Sequence, residues 1–548
     1  MDEIANGAGG PESFWVAPPQ PASDAPSAGA LGDAPADAPA NASAYSFGAT
    51  EILADPGIGV RPPRRRTAIV ASVAAISVGV VAGGAFAAYN VLGGGGSQPE
   101  DVLPANTVAF VKVDLDPSAG QKVALFQLLQ KFPAASGLND SDKTFGDWLM
   151  RRLSESATSS DVSFDRDIKP WLGQRFAVAD VPDGTGKTGS ALLGIQESDD
   201  KAAAAGLDKL KKSAGASSFD YAFADGYVVV STSSGQAAHA AVEAAKTANL
   251  ASNEQFAADV AALGSDEIVT GWADAKKVGE QLKSVMAAAG SQLGSLGSGL
   301  GGPDYNKLLD EGYHGRYVLG LHATSDSIEL KTLVRGAKAQ PAVKPVNALG
   351  AALPSAWAVI DVSGIDQSLD SSWKTLSALP GLSAAISQAK EQYGIELPGD
   401  LKAILGSELT VSASGDLADP KVLGAAQTAD GVKAQVALDK LLTAAEVDPG
   451  EVAQRVDGNT LYVGSAPGVV AAAGKGTIAS DPLFVRAVAD ADQAQAIVFV
   501  DLSKVWQALK DSGGSVPSLK EAQQVAAVGV SSVAGNGDVT VTVRVIFK

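Results

Sequence analysis

The chain has 548 residues, 46% of them hydrophobic, with 61 Asp and Glu against 42 Lys and Arg, a formal net charge of −19 and a pI near 4.6. This acidity argues against nucleic acid as a partner, because neutralising phosphates requires clustered Lys and Arg. With no cysteine in the sequence, disulfides, thiolate nucleophiles, zinc ribbons and iron–sulfur sites are excluded together.

Residues 1–60 carry eight acidic residues, no Lys or Arg, and Pro/Ala stretches such as ASDAPSAGALGDAPADAPANAS. A segment so poor in large apolar groups cannot bury enough surface to offset its ordering entropy, so it reads as a disordered cytoplasmic tail. ESFWVAPPQP and YSFGATEILADPG interrupt it as candidate docking motifs. Residues 61–92 follow as a basic flank and an apolar run. Thr67 to Leu92 is 26 uncharged residues, enough at about 1.5 Å per residue to exceed roughly 30 Å of hydrocarbon, and is expected to be a single transmembrane helix. Arg61, Arg64, Arg65 and Arg66 precede it and no cation follows until Lys112. That bias keeps the N-terminus in the cytoplasm and places the remainder outside the cytoplasmic membrane. The apolar run is too long and too far from residue 1 for a cleaved secretion signal. GGGGSQP opens a stalk over 93–102.

From 103 on, strand and helix signals alternate. TVAFVKVD reads as a strand, QKVALFQLLQKF as a helix, RFAVADV and SALLGIQ as a strand pair, and KAAAAGLDKLKK as a helix. YVVVS, a helix from about Gln236, EIVTGWAD, YVLGLHAT and IELKTLVRG follow. The pattern then recurs. LPANTVAFVKVDLD (103–116) is echoed by LPSAWAVIDVSGID (353–366), and DIKPWLGQRFAVADV (167–181) by DLKAILGSELTVSAS (400–414). Asp208-Lys209-Leu210 returns as Asp439-Lys440-Leu441, and Asp225-Gly226 as Asp457-Gly458. After the opening strand the offsets stay near 232, which reads as a tandem duplication with copies at 103–340 and 341–548. Short Asp/Gly/Ser turns favour hairpins. The fold class expected is α+β: one transmembrane helix, then an exported tandem duplication of a mixed, largely antiparallel sheet-plus-helix domain. GSQLGSLGSGLGGPD (290–304) reads as a loop without a long counterpart in the second copy.

The Pro/Ala tail, the basic-flanked apolar run and the LPANTVAFVKVDLDPS opening together resemble the actinobacterial proteins grouped as domain of unknown function 3352, over about residues 60–548. The resemblance implies a membrane-anchored envelope protein and supplies no catalytic residues.

No motif assigns a catalytic, cofactor-binding or metal residue. VPDGTGKT (181–188) has Val181 where a phosphate loop needs its first Gly and runs on as a strand, so it reads as a hairpin turn. His239, His314 and His322 form no HExxH pattern, and no GxSxG elbow occurs. Four aspartates stand out. Asp114, Asp274, Asp361 and Asp501 each follow an apolar strand and precede a helix signal. Helix capping explains them, while a converging pair would suit an exported hydrolase using paired carboxylates. The function expected is a non-enzymatic cell-envelope binding or scaffold protein, integral to the membrane, with an envelope component or a protein as partner. The alternatives are that hydrolase, or a carrier of an apolar envelope ligand.

Overall fold

Two-residue turns with both central residues left-handed set the hairpins. Asp225 and Gly226 have φ of 46° and 80°, and Asn536 and Gly537 have 54° and 82°, the geometry whose twist matches paired strands and which only Gly, Asn and Asp adopt readily. The computed structural model describes residues 97–115, 117–132, 162–182, 189–214, 219–233, 236–264, 267–281, 283, 314–337, 343–377, 382–417, 419–476, 478–511 and 522–548, all within the unit Pro62–Lys548.

The first half contributes β1 (Ala109–Asp114), β2 (Leu172–Pro182), β3 (Gly189–Glu197), β4 (Asp220–Ala224), β5 (Tyr227–Ser231), β6 (Val269–Asp274), β7 (Arg316–Ala323) and β8 (Ser327–Arg335). The second contributes β9 (Ala358–Ser363), β10 (Glu408–Gly415), β11 (Pro420–Gln427), β12 (Ala453–Asp457), β13 (Thr460–Gly464), β14 (Ala496–Asp501), β15 (Val525–Gly535) and β16 (Asp538–Phe547). Together they form one sheet in the order β12-β13-β11-β10-β9-β14-β15-β16-β8-β7-β6-β1-β2-β3-β5-β4. Outward from the centre, both halves use the same order of eight strands.

The seam is the antiparallel pairing of β8 with β16, from Val334 opposite Val539 to Ser327 opposite Ile546, centred on Lys331 opposite Thr542. Around it, Arg544 pairs with Glu329 at 2.6 Å and Arg335 with Asp538. Phe132 of the first half meets Phe547 of the second edge-on at 5.3 Å.

One face of each half is covered by short capped helices. Asn253 accepts from the N–H groups of Gln255 and Phe256 at the head of helix Glu254–Ala261. Asp481 does the same for Leu483 and Phe484 at helix Pro482–Ala487. The Phe three residues past each cap packs edge-on against an aromatic of the strand below, Phe256 on Trp272 at 5.6 Å and Phe484 on Phe499 at 5.3 Å. On the opposite face, helix Ala119–Gln130 drives Leu125 and Leu128 into a cluster with Val113, Val269 and Phe547, each such buried side chain contributing roughly 1.5–3 kcal/mol.

The architecture is α+β, but the expected fold class is corrected. Among the described residues no helix is long and apolar enough to cross a membrane, and Thr67 to Leu92 lies outside them, as do the tail 1–60, the loop 290–304 and the turn at 183–188. The sheet is also not mixed: every strand pairing in it is antiparallel and it runs unbroken through both halves. The physical reason is the edge left by each half. β8 and β16 are edge strands of nearly equal length with unpaired N–H and C=O groups, and pairing them satisfies both.

Candidate functional site

The four aspartates do not form a common site. Asp274 ends β6 and Asp501 ends β14, and both cap the helical turn that comes next: Asp274 Oδ1 accepts from Lys277 N at 3.2 Å, and Asp501 Oδ1 from Ser503 N at 3.0 Å. Each also holds a lysine three residues on, Lys277 at 3.1 Å and Lys504 at 3.2 Å. Asp114 instead faces the Arg175 guanidinium across the ladder at 3.0 Å. Asp361 is not at a strand end, because β9 continues to Ser363 and stops at Gly364, whose φ is 73°.

Asp361 has 0% exposure and lies beside Glu408, 6% exposed. Glu408 Oε1 accepts the backbone N–H groups of Asn347 at 2.6 Å and Ala348 at 2.7 Å. The Thr410 hydroxyl lies 3.2 Å from Asp361 Oδ1 and 3.3 Å from the Ala348 carbonyl oxygen. Asp361 Oδ2 has no hydrogen-bond partner. Burial, and then the charge of Glu408, push the Asp361 carboxyl up to about 7. The ladder identifies the matching positions of the first half. Lys112 stands opposite Ala177 as Asp361 stands opposite Thr410, and Arg175 matches Glu408. There two cations hold carboxylates, Lys112 with Glu100 at 2.7 Å and Arg175 with Asp114. The same framework thus carries opposite charges in its two halves.

Two carboxyls do face one another, but under the segment 343–353 and shut off from solvent. A glycosidase-type pair must flank a bound substrate. This pair serves the fold instead.

The second distinguishing feature is an open apolar sheet face. Val498 on β14 lies directly opposite Ile360 on β9, and they are 36% and 46% exposed, with Val422 on β11 at 39%. Val411, Ala413 and Val500 continue the same face half-buried. The matching pair in the first half is Val111 opposite Gly271, and Val111 packs into the cluster under helix Ala119–Gln130. The helix after β9, Ile365–Ser377, packs instead against helix Gly399–Leu405. Neither that helix nor Leu382–Tyr393 has a buried residue. Beside them, Val432 and Val436 of helix Gly431–Ala444 are 63% and 52% exposed, one turn apart on one stripe. Exposed apolar groups gathered this way mark contact surfaces.

A separate cleft of about 480 Å³ lies between the sheet and helix Ala237–Thr247 of the first half, lined among others by Pro104, Val181, Leu192, Ala240 and Ala244. Among the described residues no group of three or more His, Cys, Asp or Glu is placed to hold a metal ion.

Residues 68–505 match the model of the family described as "Protein of unknown function (DUF3352)". No curated protein and no solved structure matches the chain.

Proposed function

We propose, for a chain that belongs to the DUF3352 family of proteins of unknown function, a non-enzymatic role as an envelope binding or scaffold protein. Its contact surface is the open apolar face of the second half. The exposure of Ile360 and Val498, at positions whose counterparts are covered in the first half, carries this reading. Burying such a patch against a partner would be favourable at about 25 cal/mol per Å². In the same proposal residues 103–340 and 341–548 are two copies of one unit, supported by the common strand order and the paired caps at Asn253 and Asp481. Placement at the cytoplasmic membrane, with the sheet on its outer side, is supported by the sequence alone, through Arg61 and Arg64 to Arg66 ahead of an uncharged apolar run.

A second reading, carriage of a small apolar ligand, is favoured by the cleft beside Ala240 and Ala244.

The absence of native cysteine makes one experiment decisive for the first reading. In intact cells, Ile360→Cys and Val123→Cys should both react with a membrane-impermeant photoactivatable maleimide. Only the adduct at 360 should crosslink to an envelope component on illumination. Val123 is a fair control, 46% exposed on the first half. Failure of both to react would remove the placement outside the cytoplasm, and equal crosslinking would remove the role of the open face.

A further inference from the structure

The segment joining the two halves is fastened to the sheet by side chains rather than by a strand ladder. Glu408 takes the N–H groups of Asn347 and Ala348, Thr410 reaches the Ala348 carbonyl, and the Ser412 hydroxyl accepts from Leu353 N at 3.0 Å. Glu408, Thr410 and Ser412 alternate along β10, so they project to one side of the sheet. On that side Asp361 adds a second carboxyl with one oxygen unpartnered.

Two ionised carboxylates cannot share a site closed to water without a large cost, whereas a single proton between them converts repulsion into a hydrogen bond. We propose that Asp361 and Glu408 share one proton, and that this proton operates a pH-dependent clamp on segment 346–353. With the proton held, Glu408 keeps its two backbone contacts and the segment lies on the sheet. When the O–H bond breaks, the proton passes to water or a buffer base, its electron pair stays on the carboxylate, and the paired anions separate, releasing the segment.

Among the described residues, each element against Asp361 can be named. Glu408 is the titratable side chain acting on Asp361. β14 places Ile497 opposite it, and the overlying segment presents backbone N–H groups, with Lys344 exposed at its start. The clamp belongs to the second half alone, because the matching positions are Lys112 and Arg175, cations paired with Glu100 and Asp114.

Hydrogen exchange of the full chain between pH 5 and 9, corrected for intrinsic rates, tests this. The open fraction of a peptide covering 346–353 should rise by about tenfold per pH unit from pH 5 to about neutrality and level off above it. A control peptide covering 99–105 should stay flat. In Asp361→Asn the amide donates to Glu408 at every pH, so the slope should vanish. Glu408→Gln serves if that variant does not fold, since it removes the like charge and supplies an amide that can donate to ionised Asp361, and it should flatten the profile too. A flat wild-type profile, or a variant retaining the wild-type slope, would overturn the proposal. So would a slope abolished by adding Ca²⁺ or restored by a chelator, which would put a cation in place of the proton.

Discussion

Asp259→Ala should destabilise the chain by about 3–5 kcal/mol, the cost of removing one partner from a buried ionic network. Asp259 is 1% exposed. It accepts from Trp272 Nε1 at 3.0 Å and from Arg316 Nε and a terminal nitrogen at 2.5 and 3.1 Å, with Arg335 Nε at 3.5 Å. Burial alone would raise its pKa. The hydrogen bonds from Arg316 and Trp272 and the two guanidinium charges outweigh it and hold the carboxyl below its ordinary value. Alanine would leave the indole N–H and Arg316 without their acceptor, while Asn would keep one acceptor oxygen and should cost less. Equilibrium urea unfolding measures both. A loss below about 1 kcal/mol for Asp259→Ala would mean that water replaces the carboxylate and the network contributes little. Counting from the matched caps, the second half has Ala487 at this position, 1% exposed, so its counterpart surface is closed by packing and not by charge.

The second large effect is on the pH dependence of stability. The Asp361 carboxyl titrates near 7 when folded against an ordinary value of 3.8. Between those values the folded chain holds a proton that the unfolded chain has released, so stability falls as pH rises through this window. It is full below about pH 4 and levels off above about pH 7. The total is on the order of 4 kcal/mol at about 1.4 kcal/mol per pH unit. Glu197, also raised to about 7 by burial and then by its hydrogen bond and charge interaction with Asp200, adds a slope of the same sign in the first half. The informative quantity is therefore the difference between wild type and Asp361→Asn. The variant should be the more stable of the two at pH 8, and the gap should close as pH falls towards 4. Parallel pH profiles for the two proteins would contradict the assignment.

Much of the architecture is legible in the residues. Asp225-Gly226 and Asn536-Gly537 announce hairpins, and the strand signals from TVAFVKVD to IELKTLVRG fall where β1 to β3 and β5 to β8 lie. The short edge strand DYAFA is harder to read, because its aromatics serve equally well in a loop. The seam leaves no local trace: Lys331 and Thr542 are 211 residues apart, and an edge strand chooses its partner through backbone groups that every sequence has.

Candidate residues are legible where local chemistry governs them. Asp274 and Asp501 cap helices, as a strand-ending Asp before a helix signal suggests. Asp361 looks equivalent in AVID, yet Val362 and Ser363 extend the strand and leave it in mid-ladder. Glu408 is hidden for the opposite reason. In ELTVSAS the polar set Glu408, Thr410, Ser412 and Ser414 alternates with Leu409, Val411 and Ala413, a pattern that normally puts the polar side in water. Here the polar side is buried, because the segment 343–353 covers it and supplies N–H and C=O partners. The apolar side is the one left partly open.

One continuous sheet holds the two eight-strand halves together edge to edge, and cutting the connection between them tests it. A protease site placed within residues 338–342, between β8 and β9, would leave the halves held by non-covalent contacts. Among the described residues these include the β8–β16 ladder, the Arg544–Glu329, Arg335–Asp538 and Arg486–Asp326 pairs, and Phe132 against Phe547. After cleavage of the purified region the fragments should co-elute from size exclusion as one species in a 1:1 ratio, at the volume of the uncut protein. Two separately eluting folded fragments under native conditions would contradict the continuous sheet.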